Sequence, residues 1–171
     1  MGKRGRIAVG MALGALWAVG LLYVGGTQIK VPIFALTPTI LTAFLAPGLV
    51  LMLVIARLAQ RRFFDDAIID GQDLAPGTGA QIDQRVLANT VEQLVLALAI
   101  WPAAALMLGE RGPGVILSLG LGFAAARLAF WIGYHIAPPL RAFGFAATFY
   151  PTVLVAVWAL VTLAGLGAGI G

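Results

Sequence analysis

Hydrophobic residues run in five long stretches along this chain, and the polar positions collect in the gaps between them. The stretches cover about Ile7 to Gly25, Val31 to Ala59, Val86 to Leu108, Val115 to Tyr134 and Phe145 to Leu166. A helix needs about 20 apolar residues to cross a hydrocarbon core roughly 30 Å thick, so the pattern predicts five membrane-spanning helices. The second stretch contains Pro32, Pro38 and Pro47, which predicts an irregular start and a kink near Pro47. Pro138 and Pro139 end the fourth helix and set Arg141 at the entrance of the fifth. Within the fourth, Gly120, Gly122 and Ala124 to Ala126 suit close approach of a neighbouring helix. The first stretch follows MGKRGR, the kind of basic flank that also opens a signal peptide. It ends in Tyr23-Val24-Gly25-Gly26-Thr27 without an A-x-A cleavage pattern, so it is read as a retained helix.

Composition agrees with the pattern and narrows the class. The 171 residues are 61% hydrophobic and 11% charged, whereas a soluble domain carries about 25% charged residues. The chain is therefore an all-α integral membrane protein. With no cysteine, it has no disulfide, thiolate metal site or cysteine nucleophile. A lone histidine, His135, makes no metal site either. The net charge of +4 is not a nucleic-acid signal, because the basic residues cluster at the ends of the apolar stretches. Lys3, Arg4, Arg6, Arg57, Arg61, Arg62, Arg85 and Arg141 all fall on one side if the helices alternate, and only Lys30 and Arg111 fall on the other. The positive-inside rule then puts the N-terminus in the cytoplasm and the C-terminus outside, in the periplasm if this is a bacterial inner membrane. The one long connection carries Asp65, Asp66, Asp70, Asp73 and Asp83 and reads as a solvated linker without EF-hand spacing.

Candidate chemistry lies in two places. In RVLANTVEQLVLALAIW, Arg85, Asn89 and Glu92 fall at i, i+4 and i+7 on one helix face, at the mouth of a hydrocarbon segment. A carboxylate at that depth costs roughly 2.5–3.5 kcal/mol on insertion scales, so it needs a partner or a ligand. In the fourth stretch Arg127 lies seven residues from Tyr134, and Arg141 follows after the proline pair. Glu92 and Arg127 both sit about 10 Å below the cytoplasmic surface at 1.5 Å per residue, which predicts an ion pair between them. Structural roles compete with chemical ones: Arg85 and Arg141 also suit interfacial snorkelling. His135 reads as interfacial, and Trp17, Trp101, Trp131 and Trp158 as packing or interface residues.

The combination R-x3-N-x2-E at the start of one helix with R-x6-Y-x6-R across the next helix and turn resembles the MAPEG family, the membrane-associated proteins in eicosanoid and glutathione metabolism. The resemblance runs from about Thr37 to the C-terminus and is nearer to the leukotriene C synthase and microsomal glutathione transferase branch than to prostaglandin E synthase. It implies a four-helix domain over 31–171 with an additional N-terminal transmembrane helix over 1–30. It also implies a homotrimer that binds glutathione as co-substrate between subunits, near the cytoplasmic face, and takes a lipophilic second substrate from the membrane lipids. Arg57, Arg85, Asn89, Glu92, Arg127 and Tyr134 would hold glutathione, and Arg141 would be the catalytic residue that activates its thiol. The activity implied is that of a transferase acting on lipophilic electrophiles, or a peroxidase acting on lipid hydroperoxides. Two positions depart from the pattern: Phe130 stands where relatives carry a polar or hydroxylated aromatic residue, and Ala88 where the prostaglandin branch is cationic. The family includes a non-catalytic lipid-binding member, which keeps that alternative open. A small transporter or accessory subunit is a third, disfavoured because the polar residues crowd into the cytoplasmic half.

Overall fold

A computed structural model describes residues 2–168 and is built from six α-helices. These are α1 (Lys3–Thr27), α2 (Leu36–Ala43), α3 (Leu45–Phe63), α4 (Gly79–Met107), α5 (Gly112–Ile136) and α6 (Pro138–Ala168). Short 3-10 turns at Ile33–Ala35 and Gly109–Arg111 lead into α2 and α5. Helices α2 and α3 together make one crossing, so the described residues form five apolar spans, as the hydropathy pattern predicts.

The break between α2 and α3 has a local cause. Pro47 offers no N–H, and its ring would collide with the Ala43 carbonyl in a continuous helix. The helix therefore stops at Ala43 and restarts at Leu45, with Pro47 in the first turn, where a missing donor is tolerated. Elsewhere the helices outrun their apolar stretches. Helix α4 starts at Gly79, seven residues before Val86, because the Thr78 hydroxyl caps it by accepting from the Gln81 N–H at 3.3 Å. Apolar runs mark the hydrocarbon; the helices continue past it into the interface.

Helix α5 is the hub and touches α1, α2, α3, α4 and α6. Its small residues are the reason. A side chain at Gly120 would run into the Ala43 carbonyl of α2, and one at Gly122 into Leu21 of α1. This is the close approach that the spacing predicts. The apolar centre is aromatic: Trp101 stacks on Phe44 with centroids 5.4 Å apart and meets Phe123 edge-on at 6.0 Å. Its indole N–H is satisfied by the Thr152 hydroxyl at 3.1 Å. Outward-facing Leu, Ile and Val on every span are exposed, which places them against lipid tails.

Alternation of the spans brings the start of α1, the end of α3, the start of α4, the end of α5 and the start of α6 to one end of the bundle. That end collects seven of the arginines, from Arg4 to Arg141. It also contains the polar side chains at issue.

Candidate functional site

Two side-chain assemblies occupy the basic end. The first follows the predicted residues. Arg127 on α5 is fully buried, and its Nη1 donates to the Asn89 side-chain oxygen on α4 at 3.0 Å. Asn89 in turn donates from Nδ2 to a Glu92 carboxylate oxygen at 3.0 Å. The direct Glu92–Arg127 pair expected from equal depth is thus not formed; Asn89 stands between the two charges. Arg127 meets α4 within one turn of Glu92, but helix rotation decides which side chain faces α5. Asn89 turns toward it, while Glu92 is exposed on the outer face of α4 together with Arg85 and Val95. The Arg127 guanidinium lies 3.9 Å from the centroid of the Phe130 ring. Its Nε and Nη2 donors have no hydrogen-bond acceptor among the described residues, which leaves the ring face as their neighbour. Phe130, where a polar aromatic residue was expected, therefore serves as the cation–π partner of the buried arginine.

Continuing toward the surface, Tyr134 meets Phe130 edge-on at 5.0 Å, and the Arg141 guanidinium sits over the Tyr134 ring at 4.9 Å. Arg141 reaches this position because α6 begins immediately after α5. The Arg141 N–H donates to the Ala137 carbonyl at 3.2 Å, and the absent side chain of Gly133 leaves room for the Arg141 backbone. A methyl group at Gly133 would strike that backbone nitrogen. Gly133→Ala is therefore expected to displace the first turn of α6 and lower the melting temperature by several degrees. An unchanged melt in detergent would show that the α5–α6 corner relaxes freely.

These residues border a cleft of about 480 Å³ between α1, α4, α5 and α6. Helix α4 contributes Asn89, α5 contributes Phe130 and Tyr134, and α6 contributes Arg141, Ala142 and Phe145. Ile7 and Met11 of α1 form the remaining wall. The volume is within the roughly 300–1,000 Å³ typical of small-molecule sites. Chemically the cleft combines a guanidinium, an amide and a phenol with hydrocarbon, the two kinds of lining an amphiphile requires.

Of the seven predicted site residues, three line this cleft: Asn89, Tyr134 and Arg141. Arg127 is buried behind Asn89. Arg85 and Glu92 face outward from α4. Arg57 is apart from the cleft; it donates to the Gln60 side chain at 2.6 Å and borders a groove of about 460 Å³ with Arg61, Asp83, Trp131 and His135.

That groove exposes an assembly that the sequence reading missed. Asp83, expected in a solvated connection, has a fully buried side chain on the first turns of α4. One of its oxygens accepts from Arg61 Nε of α3. The other accepts from Trp131 Nε1 at 2.7 Å and from His135 Nε2 at 2.9 Å, both on α5. A carboxylate can only accept, so His135 presents its Nε2–H. The solvated-linker reading fails for Asp83 because α4 starts at Gly79 and carries it inward. Trp131 and His135 likewise have a polar partner beyond interfacial packing. The i, i+4 spacing of Trp131 and His135, both N–H bearing, was the available signal.

Comparison with known sequences adds one decisive observation. The family model described as the MAPEG family matches residues 35–161, well over half of the chain. The chain belongs to the MAPEG family. The match begins near α2 and ends in α6, so the four-span MAPEG unit comprises α2–α3, α4, α5 and α6, and α1 is an additional helix outside the match. No curated protein and no solved structure matches this MAPEG chain.

Proposed function

We propose that the protein is a membrane-bound glutathione-dependent enzyme that conjugates glutathione to lipophilic electrophiles or reduces lipid hydroperoxides with it. The observation that carries this reading is the convergence of Asn89, Tyr134 and Arg141 on one cleft at the basic end of a MAPEG bundle. Glutathione brings two carboxylates, an ammonium and a thiol, so a site for it needs several cations and one acid. Arg141 is the cation of the cleft. Arg57, Arg85 and Glu92 face outward, where they are available to the cleft of a neighbouring copy, and a homotrimer with shared sites uses them economically. Lipid-exposed Glu92 supports association for the same reason, since a carboxylate facing hydrocarbon is costly until it is covered. The basic end faces the cytoplasm in this arrangement, as the arginine asymmetry favours, with the periplasm of a bacterial inner membrane on the other side. Residues 1–30 are then an addition to a catalytic domain over 31–171.

The chemistry asked of the chain is modest. Arg141 stabilises the thiolate as the thiol proton leaves to solvent, and Asn89 and Tyr134 orient the tripeptide. The thiolate sulfur then forms a bond to the electrophilic carbon, and the displaced group departs with the electron pair. With a hydroperoxide, two glutathiones give the disulfide, an alcohol and water.

A second reading, a non-catalytic lipid-binding member of the family, is favoured by Phe130 and by the apolar remainder of the cleft. Titration of the purified protein with glutathione at neutral pH, followed by calorimetry and by thiolate absorbance, separates the two. Saturable heat with thiolate absorbance supports the enzyme. Lipid binding without either signal overturns it in favour of the second reading.

A further inference from the structure

Helix α1 lies outside the family match, yet it is built tightly into the bundle. A side chain at Gly10 would run into the Pro139 carbonyl of α6, and one at Gly14 into Ala146. On the other flank the Ser118 hydroxyl of α5 donates to the Leu21 carbonyl of α1 at 3.0 Å. Three consecutive stretches of α1 are thus held at van der Waals distance, so its N-terminal turns form a fixed surface.

That surface forms one side of the cleft. Ile7 and Met11, one helical turn apart, are the aliphatic side of a cavity whose other apolar walls are the rings of Phe130 and Phe145 and the small Ala142. The polar groups, Asn89, Tyr134 and Arg141, come from α4, α5 and α6. The labour is divided by helix: α4, α5 and α6 supply every polar group of the lining, and α1 supplies only apolar side chains. Methionine suits such a wall, because its unbranched thioether adapts to irregular apolar ligands.

We propose that α1 is the specificity wall of the site: Ile7 and Met11 contact the apolar portion of the second substrate, so that the sulfur substituent of a glutathione conjugate lies against α1 of the same chain. This rests on the glutathione reading above and adds where the acceptor sits. A site shared only between subunits would instead run the substituent along the outward stripe of α4 that contains Val91 and Val95.

The test is photolabelling of the full-length protein with an S-alkyl glutathione that carries a diazirine at the end of its alkyl chain, mapped by peptide mass spectrometry. Label between Ile7 and Met11 that free glutathione suppresses is the expected result. Label confined to Val91 and Val95 overturns the proposal and leaves the glutathione reading intact. The absence of any label that glutathione suppresses overturns both. Met11→Trp, which fills the wall, is expected to lower the affinity for S-hexylglutathione relative to glutathione by about tenfold; Met11→Ala guards against misfolding by making the opposite change in volume. An affinity ratio unmoved by both variants also overturns the assignment.

Discussion

Asp83→Ala is expected to lower the stability of the folded protein by about 3 kcal/mol. The side chain of Asp83 is completely buried and accepts hydrogen bonds from Arg61 of α3 and from Trp131 and His135 of α5, so one carboxylate ties three helices together. Removing it strands three donors at once. Loss of one member of a buried pair costs about 3–5 kcal/mol, because the remaining charge is left desolvated. The lower end applies here, since the Arg61 and His135 side chains are 29% and 32% exposed and water can reach them. Trp131 Nε1 has less recourse. Asp83→Asn keeps the volume but turns an amide N–H₂ toward donors, and an intermediate loss is expected. Unfolding by SDS titration in mixed micelles measures both variants. A loss below about 1 kcal/mol for alanine would mean that water replaces the carboxylate and that the assembly is not a brace.

The second large effect concerns Arg141. On the glutathione reading proposed above, Arg141→Ala is expected to reduce the rate by about 10²-fold, the scale on which a single pre-organised donor contributes to stabilising developing negative charge. The guanidinium is held by its stacking on Tyr134 and by its place in the first turn of α6, and neither hold depends on the bound tripeptide. Its removal should therefore act on the thiolate more than on the fold. The predicted signature is loss of thiolate absorbance at neutral pH, with melting changed by no more than a few degrees. Arg141→Lys keeps the charge but not the planar stack, and should recover only part of the signal. Equal thiolate formation by wild type and Arg141→Ala would remove the arginine from the chemistry and favour the lipid-binding reading.

The local pattern of the chain determined the five spans, the proline break at Pro47, the close approach around Gly120, the alternation that gathers arginines at one end, and the motif by which the MAPEG family is recognised. Each depends on information within one or two helical turns: hydropathy over a span, the missing N–H of proline, the missing Cβ of glycine. Sequence spacing also put Glu92 level with Arg127 on neighbouring helices, one turn from the Asn89 that Arg127 meets. Tertiary structure alone decided their partners, because Asn89 and Glu92 lie only about 60° apart around α4, and a rotation of that size exchanges the side chain that meets α5 for the one on the outer face. Asn89 won that place and Glu92 lost it. Asp83 shows the same limit at a helix start, where capping by Thr78 drew a polar stretch into the bundle against its composition. The packing of Gly10 and Gly14 of α1 against the first turns of α6 was likewise decided by the tertiary structure. Only the folded chain brings Ile7 and Met11 into one cleft with Arg141, since contacts between the first and last spans rest on the arrangement of all the helices between them.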